Sequence, residues 1–462
     1  MCGIFGVHGV PDAASLVHLG LYSLQHRGQE SAGLVAVDDD GVARAHRGMG
    51  LVSEGLPPDA LRGLVGRTAL GHTRYSTAGS STIENAQPVM VRFRGGYIAL
   101  AHNGNIINAT ELRAELEAEG SIFASTMDSE VLVHRIARSR ESVPEHQLAD
   151  ALRGVEGAYS LVVAMGTSLL AARDPRGWRP LVIGRLGDAV VFASETCALD
   201  IVGATHVRDV QPGEIAVVDG DGELRSVQAL EPLPMRRCVF EYVYFARPDS
   251  RIFGGGSVDR ARRALGRRLG REAPAPTADL VFGVPDSANA AALGYAEETG
   301  LPLELALIRN HYVGRTFIQP SQEGRNHKVK VKYNAVREVL EGKRVVMIDD
   351  SIVRGTTTRG LVALVRAAGA REVHMRIASP PVTGPCYYGI DTPSREELIA
   401  ANLSVDEIAR HVGVDSLAYL SLDGMLESVP GGPHGFCHAC FSGDYPTPPP
   451  TDPDKLRFGC GC

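Results

Sequence analysis

The residue that most invites a chemical reading is the second. The chain opens Met1-Cys2-Gly3-Ile4-Phe5-Gly6. Initiator methionine is normally trimmed when the next side chain is small, and trimming here leaves a thiol and a free α-amine on one residue. Such an amine has a reference pKa of about 7.7–8.0, so it can take the thiol proton directly or through one water. That makes Cys2 a nucleophile with a built-in base. From Cys2 alone, a buried thiol at the start of an apolar strand is an equal alternative, because free cysteine is among the most buried residue types. Four segments tip the balance: His26-Arg27-Gly28-Gln29-Glu30, Gly71 to Thr77 (GHTRYST), Ala101-His102-Asn103-Gly104-Asn105 and Asp128-Ser129-Glu130. Each is polar and flanks an apolar stretch. Singly each reads as a turn; with an N-terminal cysteine they form a coherent set for amide hydrolysis.

A second kind of chemistry lies in Val345-Val346-Met347-Ile348-Asp349-Asp350-Ser351-Ile352-Val353-Arg354-Gly355-Thr356-Thr357. A buried strand delivers two adjacent carboxylates, which can bind a ribose diol and help hold Mg²⁺. The turn after them offers backbone N–H groups, hydroxyls and a helix N-terminus to a phosphate. An isolated Asp-Asp would be an ordinary strand–loop–helix turn, but this ordered run is more specific. Gly283-Val284-Pro285-Asp286-Ser287 is a second strand-end loop of the same character. His311 to Asn334 carries Arg315, Arg325, Lys328, Lys330 and Lys332 against Glu323. It reads as a solvated basic loop or, in this company, as a lid closing over pyrophosphate. The eight cysteines are too spread for one motif; Cys437-His438-Ala439-Cys440 is a C-x₂-C pair, and Cys197 reads as core.

Positioning these groups requires two different textures. The first 230 or so residues read as short strands with Gly-rich turns and a few helices (Glu111–Glu119, Asp128–Ser139), in blocks that suggest stacked sheets and helices rather than βαβ alternation. The texture changes near Glu231-Pro232-Leu233-Pro234. After Asp279 it becomes strand, loop, helix, repeated. Leu280–Val284 and Arg344–Ile348 are strands, Ala288–Thr299 and Thr357–Ala368 are helices, and Gly369 is a stop signal. Such alternation implies a parallel sheet with ligands at the carboxyl ends of its strands. Composition agrees with large cores: 462 residues, 44% hydrophobic and 22% charged. A net charge of −7 without a basic block argues against nucleic acid as a partner but not against small anions. No apolar run approaches the ~18 residues of a membrane span. There is no signal peptide, so a cytoplasmic protein without disulfides is expected.

The segments around Cys2 resemble the glutamine-hydrolysing domain of N-terminal-nucleophile amidotransferases, and the run from Val345 to Thr357 resembles the diphosphosugar signature of type I phosphoribosyltransferases. Their order resembles one family along nearly the whole chain, the amidophosphoribosyltransferases. Phe240 to Ser250 and Tyr312 to Pro320 are also similar to stretches of that family. The resemblance implies a four-layer αββα sandwich over residues 2–232 and a type I phosphoribosyltransferase parallel-sheet domain over 233–445; the stretch 446–462 is Pro-rich in composition, and a disordered tail is expected there. The resemblance implies that Cys2 attacks the side-chain amide of glutamine, with Asn103 and the N–H of Gly104 as oxyanion hole. Arg74 would pair with the substrate α-carboxylate, Asp128 would accept its α-ammonium, and Arg27 would support the pocket. His26, His72 and His102 would be structural, since the terminal amine already supplies a base.

At the second site the resemblance implies that phosphoribosyl pyrophosphate is bound by Asp286, Ser287, Arg315, Lys332, Asp349, Asp350, Ser351, Arg354, Gly355, Thr356 and Thr357. Ser287, Asp349 and Asp350 would lie on or near Mg²⁺. One branch of the family carries a [4Fe–4S] cluster, here matched by Cys238, Cys386, Cys437 and Cys440, with zinc as the alternative and unligated thiols as the plain reading. Cluster-bearing relatives often have a short cleaved leader, which is Met1 alone here, and Cys460 and Cys462 match nothing in the pattern. The resemblance also implies purine-nucleotide feedback inhibition and a homotetramer. A nucleotide-sensing protein without turnover and an amidotransferase acting on another sugar are the rival readings. Intact Cys2, Arg74 and Asp128 speak against the first and Asp349-Asp350 against the second.

Overall fold

Thirteen strands build the first half, in chain order β1 (Gly3–His8), β2 (Ser31–Val37), β3 (Ala43–Met49), β4 (Thr68–Arg74), β5 (Val89–Phe93), β6 (Gly96–Ile106), β7 (Gly157–Met165), β8 (Ser168–Arg173), β9 (Val182–Leu186), β10 (Ala189–Ala193), β11 (Thr205–Asp209), β12 (Glu214–Val218) and β13 (Leu224–Gln228). This computed structural model describes residues 1–76, 79–220, 222–311, 331–392 and 394–450. The strands form two antiparallel sheets, of order β11-β9-β10-β1-β4-β2-β3 and β13-β12-β8-β7-β6-β5.

The strands are apolar on both faces because both faces are covered. Ile4, Val35, Leu70, Val190 and Phe192 of one sheet meet Ala99, Ala101, Val162, Leu169 and Ala216 of the other. Their strand neighbours point the opposite way: Phe5, Val7 and Val191 pack under the helix Ala13–Ser23, and Leu100, Val163 and Leu170 pack under the helices Ala109–Ala118, Glu130–Arg138 and Pro144–Leu152. The period of two along each strand thus feeds alternate side chains into different layers, giving the expected αββα sandwich. The expected helices were Glu111–Glu119 and Asp128–Ser139. The second starts later than expected, and Asp128 itself lies outside it, accepting a backbone N–H of β6.

The second half is a parallel sheet in the order Leu280–Gly283, Arg344–Asp349, Glu372–Ile377, Ser416–Tyr419. Helices Val258–Glu272, Asn289–Thr299, Thr356–Ala367 and Val405–Val412 lie about it, over one continuous apolar core. Gly369 ends the helix Thr356–Ala367 with φ +98°, as the stop signal predicted. The sequence from 446 on was expected to be disordered. Its first residues are docked: Thr447 shares a 2.8 Å hydrogen bond with the Tyr388 hydroxyl. Residues 451–462, including Cys460 and Cys462, lie outside the described residues, as does most of the expected lid with Arg315. No helix among the described residues is long and apolar enough to cross a membrane.

Candidate functional site

The first site sits where the two sheets face each other at the start of β1. Register explains its assembly: Gly3 pairs with Thr73 of β4, so Cys2 lies beside Arg74 and Tyr75. From the opposing sheet, Asn103 of β6 accepts a hydrogen bond from the Cys2 backbone nitrogen on Oδ1 (3.2 Å), and the Cys2 thiol lies 3.6 Å from Tyr75 O. The other end of that side chain is the informative one. Asn103 is fully buried, and its Nδ2 has no hydrogen-bond partner among the described residues. A buried donor left unpaired costs about 1–3 kcal/mol, a cost that is offset if it donates to charge developing on a substrate.

Arg74 is buried and oriented by carbonyls, Nη1 to Asn85 O (2.7 Å) and Nη2 to Ser80 O (3.2 Å). Glu30 Oε2 lies 3.9 Å from its Nε. Asn85 also holds Thr126 through both ends of its amide, which ties Arg74 to the segment bearing Asp128. Asp128 Oδ2 accepts from Ile106 N (2.8 Å) and lies 3.8 Å from His102 Nδ1. Cys2, Asn103, Arg74 and Asp128 are therefore brought to one place. His72 Nε2 donates to His102 O (3.0 Å); burial, then the charge of Arg74, pushes it down to about 3, so it is neutral and no acid–base partner near neutral pH. Met1 is fully buried beside Cys2, and burial pushes its amine down to about 6.

Arg27 was expected to support the pocket. It has no exposed surface and lies behind Cys2: Nε donates to Cys2 O (3.0 Å), Nη2 to Glu241 Oε1 (2.7 Å), and Nη1 to Glu195 and Glu241. Four of its five N–H donors are engaged in these contacts, so it supports the pocket from beneath.

The second site lies at the carboxyl end of the parallel sheet. The strand Arg344–Asp349 ends in the two carboxylates; Asp350 N donates to Asp349 Oδ1 (3.0 Å) and Ser351 Oγ to Asp350 Oδ1 (2.8 Å). Burial, then the neighbouring Asp350 charge, raises Asp349 well above its ordinary value, with Lys332 opposing; burial also raises Asp350, opposed by hydrogen bonds from Ser287 and Ser351 and by the charge of Arg262. Such a pair accepts a cation or a diol readily. The turn then delivers Gly355 in the left-handed conformation (φ +75°) as the cap of helix Thr356–Ala367, with the Thr356 and Thr357 side chains exposed. Ser287 and Asp286 follow strand Leu280–Gly283, next to the Asp pair through the pairing of Gly283 with Ile348. A cavity of about 630 Å³ lined by Gly283, Pro285, Asp286, Asn289 and Arg309 adjoins them. Two charges are already engaged, Asp286 by Arg309 and Arg354 by Glu397 (3.2 Å); Lys332 faces Asp349.

Cys238, Cys386, Cys437 and Cys440 come together from three distant segments. Strand Arg237–Cys238 runs parallel to Phe436–Cys437, pairing Cys238 with Cys437. Thr383 N and Gly384 N donate to Cys440 O (2.9 and 3.0 Å), and Tyr388 N donates to the Cys386 sulfur (3.4 Å). All four are free thiols. Burial raises Cys440 most, and the other three thiols add to it. Among the described residues no three His, Cys, Asp or Glu side chains form a group suited to a single metal ion.

Comparison with known proteins places these geometries. Residues 72–200 match the model of a glutamine amidotransferase domain. The chain is 50% identical to the amidophosphoribosyltransferase of Bacillus subtilis over 452 residues, 96% of this chain and 94% of that one. It is 49% identical to that of Archaeoglobus fulgidus over 461 residues, 98% and 99% of the two chains. The chain belongs to the amidophosphoribosyltransferase family. The solved structure of the B. subtilis glutamine phosphoribosylpyrophosphate amidotransferase with ADP and GMP superposes with a TM-score of 0.90 at 49% identity, covering 97% of this chain and 98% of that one. An allosteric regulatory enzyme of purine biosynthesis gives 0.93 at 49% identity, covering 99% of each.

Several residues that shape the family's first site here carry no local sequence signal. Glu195 and Glu241 hold Arg27 across more than 160 residues of chain. Gly389 presses on Gly104: a Cβ there would stand 2.8 Å from Gly104 Cα. Asn105 Nδ2 donates to Tyr387 O (2.9 Å) beside it. Only long-range pairing could have found them.

Proposed function

We propose a two-site mechanism. The chain is a glutamine-dependent amidophosphoribosyltransferase, making 5-phosphoribosylamine, glutamate and pyrophosphate from glutamine, water and phosphoribosyl pyrophosphate at the first step of purine synthesis. With Met1 removed, the amine of Cys2 takes the thiol proton, and the thiolate attacks the glutamine side-chain carbonyl. The oxyanion forms against Asn103 Nδ2 and Gly104 N–H. Ammonia leaves with the returned proton, and water hydrolyses the γ-glutamyl thioester. Arg74 and Asp128 hold the substrate's carboxylate and ammonium. The ammonia passes within the protein to the second site, where it attacks C1 of the ribose and pyrophosphate departs.

There the chain supplies positioning: Asp349 and Asp350 for the ribose hydroxyls, Ser351, Gly355, Thr356 and Thr357 for the 5-phosphate, and Asp286, Ser287, Lys332 and Arg315 for the diphosphate. Mg²⁺ would be held by Ser287, Asp349 and Asp350, whose hard oxygens suit it, and would neutralise the leaving diphosphate. The unpartnered Nδ2 of Asn103 beside Cys2 is the observation that supports the first site most directly.

The thiol set suits a [4Fe–4S] cluster of the iron–sulfur branch better than zinc, whose four bonds of about 2.3 Å require ligands drawn to one point. Bound there, a cluster would staple three chain segments. Units 2–232 and 233–445, purine-nucleotide inhibition and a homotetramer complete the reading. Pyrophosphate release measured on anaerobically purified protein, with glutamine or with ammonium, tests it. Release with both supports the mechanism; release with neither removes it.

A further inference from the structure

The ion network behind Cys2 crosses between the two halves of the chain. Its members Arg27, Arg179, Glu195 and Glu241 have no exposed surface. Two carboxylates and two guanidiniums balance in charge, and their position behind a nucleophile asks for more than a structural explanation. Arg27 Nε holds the Cys2 carbonyl at 3.0 Å, while both Glu241 oxygens hold the same guanidinium at 2.7 and 3.1 Å. Glu241 therefore sits one side chain removed from the backbone of the reacting residue. It is supplied by the turn Glu241–Phe245, which follows the strand Arg237–Cys238.

The other end of that turn looks toward the second site. Arg262, buried on helix Val258–Glu272, donates Nε to Tyr242 O (2.9 Å) and Nη2 to Ala246 O (2.8 Å). The guanidinium is electrostatically coupled to Asp350. One short turn is thus held by Arg27 at Glu241 and by Arg262 at Tyr242 and Ala246, and the Arg262 charge acts on Asp350 of the second site. A second acid, Glu195, anchors the same arginine while accepting Arg247 N (2.9 Å) and Ser250 Oγ (2.7 Å) just beyond the turn.

We propose that Glu241 is a positioning residue for the Cys2 nucleophile, acting through Arg27, and that the glutamine site therefore depends on a residue of the phosphoribosyl half. This rests on the two-site reading above. Glu241 touches no substrate. Its carboxylate sets where Arg27 sits, and Arg27 sets the Cys2 carbonyl and so the direction of the thiol. A misplaced nucleophile loses rate rather than substrate affinity.

The test is a double-mutant cycle of Arg27→Gln and Glu241→Gln on the full chain, read by kcat and KM with glutamine and by the rate with ammonium. Glu241→Gln is expected to lower the glutamine kcat by about 10- to 100-fold, with the glutamine KM and the ammonium rate within twofold of the parent. The double variant is expected to be no worse than the poorer single one, since both act through one contact. Losses that multiply, a change in KM alone, or a parallel fall of the ammonium rate would each overturn the proposal. If Arg27→Gln alone fails to fold, Glu195→Gln replaces it, and the same non-multiplying loss is required. A parent protein that uses ammonium but never glutamine refutes the two-site reading itself; an active parent with an unimpaired Glu241→Gln variant refutes only this proposal.

Discussion

Replacing Asn103 with alanine separates catalysis from stability at one position. Its Oδ1 accepts from Cys2 N at 3.2 Å, and its Nδ2 is buried without a partner. Losing an oxyanion donor costs about 10²- to 10³-fold in kcat, or roughly 2.7–4 kcal/mol of transition-state stabilisation. The folded state balances differently. Deleting the unpaired Nδ2 relieves about 1–3 kcal/mol, and orphaning Cys2 N costs about the same. Global stability should therefore change by less than about 2 kcal/mol while the glutamine-dependent rate collapses. The assays are glutamine-dependent pyrophosphate release, the same with ammonium, and urea unfolding. Glutamine turnover within tenfold of the parent would refute the oxyanion assignment. So would a loss of stability large enough to explain the lost activity, or a matching loss of the ammonium rate.

Other expectations follow from the same geometry. Asp349→Asn should lower pyrophosphate release with either nitrogen source by more than the 10- to 100-fold typical of changes around a metal site; an effect confined to glutamine would contradict its assignment to the second site. His72 is held neutral by burial, down to about 3 from 6.5, so the unfolded chain binds more protons and stability falls as pH drops below about 6.5. Between pH 6.5 and 5 this group alone contributes about 2 kcal/mol of loss. His72→Gln should flatten that slope in urea titrations, and an unchanged slope would count against it. Cys440→Ser should remove iron and acid-labile sulfide from anaerobically purified protein; undiminished iron would exclude Cys440 as a ligand.

Much of the architecture was legible because burial leaves a local trace. The run Val345–Ile348 is apolar throughout because both faces of a parallel strand are covered, and Gly369 marks the next helix end with its left-handed φ. The candidate residues on β4, β6 and the loop after Arg344–Asp349 stood out as polar segments flanking apolar strands; each alone reads as a turn, and only the N-terminal cysteine made them a set. Arg27 was expected to support the pocket, but sequence does not show that two acids 168 and 214 residues away absorb it. The start of the Pro-rich tail read as disordered from composition, yet Thr447 docks on Tyr388, a contact that no local pattern encodes. What escaped was pairing between distant segments, which carries no period and no spacing.

The central claim is that two separate sites share one nitrogen. It is tested most directly by Cys2→Ala, assayed for pyrophosphate release with glutamine and with ammonium on one preparation. The account predicts that glutamine use disappears while the ammonium rate stays within about twofold of the parent. Loss of both activities, or retention of glutamine use, would contradict it.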